Sequence, residues 1–294
     1  MEEKQFTVDE HYLSQVYLRG FVPGYTPGET YDKKKKYFIW RYDVVSGEQI
    51  EVSTKSQCSV DNLYELFGKN GEYLLRNHLE KAFGDIEKKF ASQRLKLEKK
   101  AYYKDNTKTK CFLDKDEKDF WVLFIVLQIL RHPDTIDSAA KLAKEIIDRS
   151  LSDQQARNFA LSHCAPFVYE ADENNKTTQL LIDMAAPMRG MDFTVLYDEE
   201  GRFITAEKSV YVEAKAHPEK TLDYKLVVFP ITSFLCLALT KNAGERYKNQ
   251  PVLANEMCRD DVLYWFSRTN MIVYSNHELT NKEIAIIHGD NSLV

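Results

Sequence analysis

Between Phe120 and Leu130 the chain carries no charge and a single polar side chain, Gln128. Acidic residues precede this run, where the positive end of a helix dipole favours them, and Arg131 closes it, where a cation is favoured. Pro133 then stops it, because the residue before a proline is pushed out of the helical region. A helix apolar on every side is buried on every side. Its eleven residues would span roughly 16 Å against a hydrocarbon core of ~30 Å, which makes it a core helix and not a membrane span. Its polar exceptions, Gln128 and Arg131, stand three apart on one face.

Upstream, apolar residues at 13, 16, 17 and 21 predict a short helix over His11–Phe21, ended by Gly20. Tyr37–Asp43 and Gln49–Thr54 are rich in β-formers on either side of Ser46-Gly47 and predict a hairpin. Ser59 or Asp61 would cap a short helix ending at Gly68. From Glu72 to about Lys100 the spacing predicts a long amphipathic helix, with Glu80 and Glu87 seven apart and nearly on one face. Tyr102–Lys110 reads as a polar loop, and helical stripes follow over Asp134–Ser150 and from Ser152 to about Ser162. After Pro166 the period shortens: Asp192–Asp198, Arg202–Thr205, Val210–Ala214, Tyr224–Phe229 and Phe234–Leu239 read as strands. Asn255–Asn270 reads as a closing helix and Met271–Tyr274 as a last strand.

This is an α+β pattern in one domain, residues 1–294: a helical middle over 59–165, and a β-rich part with its closing helix over 166–294. The helices pack on a mostly antiparallel sheet with strands from both ends of the chain. Composition adds limits. With 44% hydrophobic and 29% charged residues the chain is ordinary globular material. A net charge of −5 gives no overall attraction to nucleic acid, so a polyanion site would have to be a local patch. The opening Met-Glu-Glu-Lys-Gln lacks the pattern of a secretory signal, and the five cysteines are scattered without Cys-x-x-Cys. The expectation is a cytoplasmic protein with reduced thiols and no membrane contact.

Two stretches carry a recognisable pattern. His11, Tyr12, Tyr17, Leu18 and Phe21 form a His-Tyr-x4-Tyr-Leu-x2-Phe opening; Phe124, Ile125, Gln128, Arg131 and Pro133 form Phe-Ile-x2-Gln-x2-Arg-x-Pro. With the spaced Glu80 and Glu87 they resemble a bacterial family known as domain of unknown function 4238, over most of the chain. That family next carries Ser-Asp-x-Pro on a strand. Here Ala206 stands for the Ser, Glu207 for the Asp and Ser209 for the Pro, while Phe229-Pro230-Ile231 replaces a later Pro-Leu segment. The resemblance implies a fold and a set of positions rather than a reaction.

An arginine at the end of a buried helix needs a partner, since stripping one from a buried charge costs about 3–5 kcal/mol. Glu80, Glu87 and Glu207 are the candidates inside the chain. A phosphate or carboxylate ligand, which suits the guanidinium fork, is the candidate outside it. In one reading His11 is the general acid or base, Glu87 or Glu207 orients it or holds a metal, and Gln128 and Arg131 bind an oxyanion. The protein is then a hydrolase acting on nucleic acid or a nucleotide, as a toxin or defence effector. In the other reading the cluster is a structural lock inside a non-catalytic sensor or interaction module that meets a partner protein.

A rival centre lies at Tyr211–Lys215, which has the apolar-Glu-x-Lys shape of the third strand in restriction-like nucleases. Glu213 and Lys215 alternate onto one face, and with Asp198 they would hold Mg²⁺ and activate water; a charged strand edge has the same letters. Lys33–Lys36 with Tyr31, Tyr37, Phe38 and Trp40 fit either a single-strand-binding surface or a solvated run. His132, His163, His217, His277 and His288 show no metal spacing.

Overall fold

The computed structural model describes residues 8–32, 34–74, 76–102, 112–164, 176–216, 222–244 and 248–290. The chain opens with β1 (Asp9–His11) and α1 (Gln15–Leu18), whose N-terminus Ser14 caps, and a 3-10 turn over Arg19–Phe21. The predicted hairpin is β2 (Phe38–Asp43) and β3 (Gln49–Ser53), followed by β4 (Ser59–Asp61). Five helices come next: α2 (His78–Tyr102), α3 (Lys115–Leu130), α4 (Pro133–Ile146), α5 (Asp153–Cys164) and α6 (Lys176–Arg189). Strands then dominate: β5 (Asp192–Tyr197), β6 (Thr205–Ala206), β7 (Tyr211–Ala216), β8 (Leu222–Thr232), β9 (Leu235–Thr240) and β10 (Gln250–Leu253). The described chain closes with α7 (Glu256–Thr269), β11 (Ile272–Ser275) and α8 (Asn281–His288).

The fold is α+β. A five-stranded sheet has the order β10-β5-β9-β8-β7, antiparallel except where β10 runs parallel to β5. A four-stranded antiparallel sheet, β3-β2-β11-β6, joins strands from both ends of the chain, as expected. Helix α3 is the centre of the main core. Its Trp121, Phe124 and Ile125 cluster with Phe90 of α2, Tyr17 and Phe21 of the opening segment, and Phe229 and Leu237 of the larger sheet. Phe90 stacks on Phe124 with centroids 4.6 Å apart, and Tyr17 on Phe229 at 5.5 Å. Asp114 and Glu117 close a reciprocal capping box at the start of α3, which fixes where the apolar run begins to wind. Among the described residues no helix is long and apolar enough to cross a membrane.

Several expectations are corrected. Ser59–Asp61 is not a helix start: β4 pairs antiparallel with β1, Asp9 opposite Asp61 and His11 opposite Ser59. His11 therefore stands in a β ladder, and helix begins only after Ser14. Gly20 ends nothing by a left-handed cap. A Cβ there would lie 2.9 Å from Thr232 Cγ2, so glycine is what lets the turn lie against β8, where the Ser233 N–H donates to the Gly20 carbonyl at 2.9 Å. The long helix starts at His78 rather than Glu72, because Glu65 takes the Asn77 N–H at 2.7 Å and Phe67 bridges Tyr73. Elements α6, β10 and α8 were not expected. The loop expected over 102–110 lies outside the described residues, except for Tyr102, which ends α2.

Candidate functional site

Helix α3 turns directly into α4. Arg131 is the C-terminal cap of the first, and its N–H still reaches the Leu127 carbonyl at 2.9 Å. His132 is extended (φ −70°, ψ 138°), the conformation a following proline imposes, and Pro133 enters the first turn of α4, where its missing N–H removes no bond. Three polar side chains, Gln128, Arg131 and His132, leave this corner in different directions and build two separate centres.

The first is sealed. Arg131 is 2% exposed. Its Nη1 meets Glu87 Oε1 at 3.3 Å, its Nε donates to the Tyr64 hydroxyl at 3.3 Å, and its Nη2 donates to the main-chain carbonyl of His11. The Tyr64 hydroxyl donates in turn to the Arg131 carbonyl at 2.9 Å, and the guanidinium lies 4.4 Å from the Phe83 ring centre. More carboxylates crowd around it. Glu10 is wholly buried and accepts the Tyr64 N–H at 2.7 Å. Burial pushes its carboxyl up to about 7, opposed by that bond and helped by the nearby Glu65 and Glu80. Burial pushes Glu80 up to about 7 as well, with Arg131 pulling the other way and Glu87 adding to the rise.

Of the five residues expected to converge, the structure brings two side chains together, Glu87 and Arg131. His11 contributes only its carbonyl; its imidazole Nε2 bonds the Lys55 carbonyl at 3.0 Å, out on the surface. Strand alternation explains this, since neighbouring side chains on β1 point opposite ways and it is Glu10 that turns inward. Glu207 is elsewhere too. Its Oε1 accepts the Met271 N–H at 2.9 Å, pinning the segment after β6 to the link between α7 and β11.

The second centre is open. Gln128, His132, Lys208 and Thr269 line a cleft of about 420 Å³, with Ile129, Val210 and Val212 among its apolar walls. His132 Nδ1 accepts the Asp134 N–H at 3.2 Å and so caps α4, while the ring lies edge-on to Tyr12 at 5.0 Å. Burial pushes the imidazole down to about 4, with Asp134 opposing and Lys208 assisting, so the ring is neutral near pH 7. Lys208 pairs with Asp134 at 2.8 Å at the rim. Two buried nitrogens, Gln128 Nε2 and His132 Nε2, have no hydrogen-bond partner. Sequence reasoning set His132 aside for lack of metal spacing. The signal that would have found it is local: it stands four residues after Gln128 and directly before a proline.

The residues of the nuclease-like reading are not brought together. Glu213 aligns across the sheet with Leu226, Thr240 and then Asp192, the far end of β5 from Asp198. Three strand spacings and six residues put roughly 14 Å across and roughly 20 Å along the sheet between the two carboxylates, too far to share one ion. Asp198 is buried and accepts the N–H groups of Arg202 at 2.7 Å and Glu200 at 3.2 Å, which shapes the turn. Glu213 pairs with Lys225 at 3.0 Å, and Lys215 is exposed. Among the described residues no group of three or more His, Cys, Asp or Glu side chains is placed to hold a metal ion. At the basic aromatic run, the Tyr37 and Tyr31 rings already face cations of the chain: Arg19 lies 5.0 Å from the first and Arg94 4.7 Å from the second.

Residues 10–284 match the family described as protein of unknown function (DUF4238). The chain belongs to the DUF4238 family. The DUF4238 match runs from the buried Glu10 of β1 into α8, and so takes in both centres at the α3–α4 corner. Searches of curated proteins and of solved structures found no match to the chain.

Proposed function

We propose that this chain is a non-catalytic sensor or interaction module, acting in the cytoplasm on a partner protein, and that the cluster at Arg131 is its structural lock. One observation carries this reading: all three guanidinium nitrogens are engaged by groups of the protein, in a site closed to solvent. At 1% side-chain exposure the fork offers no surface to a substrate oxyanion. The lock ties β1, through the His11 carbonyl, to α2 and α3, which also meet in the core where Phe90 stacks on Phe124. Arg131→Lys keeps the charge but cannot reach Glu87, the Tyr64 hydroxyl and the His11 carbonyl at once, so it should lower Tm nearly as much as Arg131→Ala. Unchanged Tm in both variants removes the lock.

The second reading, a hydrolase acting on nucleic acid or a nucleotide as a toxin or defence effector, is favoured by one feature, the open cleft with Lys208 at its rim and Gln128 and His132 inside. Incubation of the purified chain with single-stranded RNA, DNA and ATP, with and without Mg²⁺, decides between the two. Turnover that disappears in Lys208→Met, with Tm unchanged, establishes the hydrolase.

A further inference from the structure

The Gln128–His132 cleft is lined by two residues whose polar groups the fold itself leaves without a partner. Gln128 is 6% exposed and His132 8%, and the Nε2 atom of each is buried with no partner. A buried donor left without a bond is costly, and here two belong to residues that line the same cleft. The His132 tautomer follows from its cap. Nδ1 accepts the Asp134 N–H, so the proton of the neutral ring is on Nε2, which makes that atom a donor. The missing partner is therefore an acceptor, and one acceptor group within reach of both donors would satisfy them together. A cation is available beside them, Lys208, held at the exposed rim by an Asp134 that is itself largely solvent-facing. The remaining walls, Ile129, Val210 and Val212, are apolar. A volume of about 420 Å³ lies in the range that small-molecule sites occupy.

We propose that this cleft binds a small molecule with an apolar body and a terminal oxyanion, a carboxylate or a phosphate, whose oxygens accept from Gln128 Nε2 and His132 Nε2 and face the Lys208 ammonium. The apolar body lies along Ile129, Val210 and Val212. Asp134 competes with the ligand for Lys208, so occupancy loosens the rim pair at the start of α4. This inference rests on the module reading only in taking Arg131 out of the ligand site. The Tm of Arg131→Ala tests that point separately, so either idea can fail alone.

The experiment uses three probes that share one apolar ring: benzoate, phenyl phosphate and benzyl alcohol. They are titrated into the ¹⁵N-labelled full chain while the Gln128 side-chain amide and the His132 ring resonances are followed. Saturable shifts of both groups with benzoate or phenyl phosphate, and none with benzyl alcohol, are expected; the stronger of the first two names the head group. Gln128→Met should weaken that binding at least tenfold while leaving Tm unchanged or raised, because it removes a donor with nothing to bond. Lys208→Met should weaken it severalfold, and it carries the test should Gln128→Met fail to fold. The proposal is overturned if neither oxyanion gives saturable shifts, if benzyl alcohol binds as well, or if both variants bind like the parent chain.

Discussion

Arg131 and Gln128 leave α3 one turn apart, yet the fold treats them in opposite ways. Around Arg131 the donors and acceptors close on one another: Glu87, the Tyr64 hydroxyl and the His11 carbonyl take the guanidinium, and a phenyl ring covers it. At Gln128 and His132, which line a cleft, the Nε2 atoms are buried and have no partner. A buried charge without partners is far more costly than a buried neutral amide or imidazole. The fold can leave the second centre incomplete but not the first. Polarity at the end of a core helix is thus no guide to function until the partners are counted, and here the charged centre is the one with its partners inside the protein.

The sharpest way to break the comparison is to remove the charge. Arg131→Ala leaves Glu87 and the His11 carbonyl facing an empty site, and denaturant unfolding should show a loss of about 3–5 kcal/mol. A loss under 1 kcal/mol would mean that the first centre is no more a lock than the second.

The next effect is in pH. Glu10 and Glu80 are both raised from 4.5 to about 7, so the folded state holds protons that the unfolded chain releases. Their stabilisation is complete below pH 4.5 and is lost as pH rises through about 7. For Glu10 alone the difference amounts to roughly 3 kcal/mol, shared in practice across a coupled cluster. Glu10→Gln should flatten the decline measured by unfolding between pH 5 and 8; an equally steep decline in that variant would place the titrating group elsewhere.

Smaller changes separate the centres further. His132→Ala removes the α4 cap and the Tyr12 contact, and should lower stability by about 1–2 kcal/mol. His132→Asn keeps a capping oxygen, so most of that loss should return; no recovery means that the cap is not what His132 supplies. Smallest of all, His11→Ala should change stability by about 0.5 kcal/mol or less, since the lock uses only the backbone carbonyl of that residue. A large loss would show that the imidazole matters to the fold after all.

Some of this was readable from the residues in order. The run Phe120–Leu130 announces its own burial, and a buried Arg131 announces an acidic partner, which Glu87 supplies. The closing helix α8 was also readable in principle, since Thr280 and Glu283 form a capping box and Gly289 a left-handed stop. His11 was misread for a physical reason. A helical period over 11–21 hid the two-residue alternation of a three-residue strand, and that alternation alone decides that Glu10 turns inward and His11 outward. Asp198 and Glu213 looked compatible because spacing along the chain says nothing of strand order; β9 and β8 intervene.

What the order of residues determined by itself is local: where the apolar run winds into a helix, where Pro133 breaks it, and that a charge at its end must be neutralised. Those follow from short-range sterics and from the cost of desolvating a charge, which no arrangement escapes. What only the tertiary structure decided is which groups meet that charge and which polar atoms are left without company. Such meetings depend on pairings between β1 and β4, and on α2 and the segment after β6 arriving at one corner from distant parts of the chain. Contacts of that kind are set by the packing of the whole, not by any stretch within it.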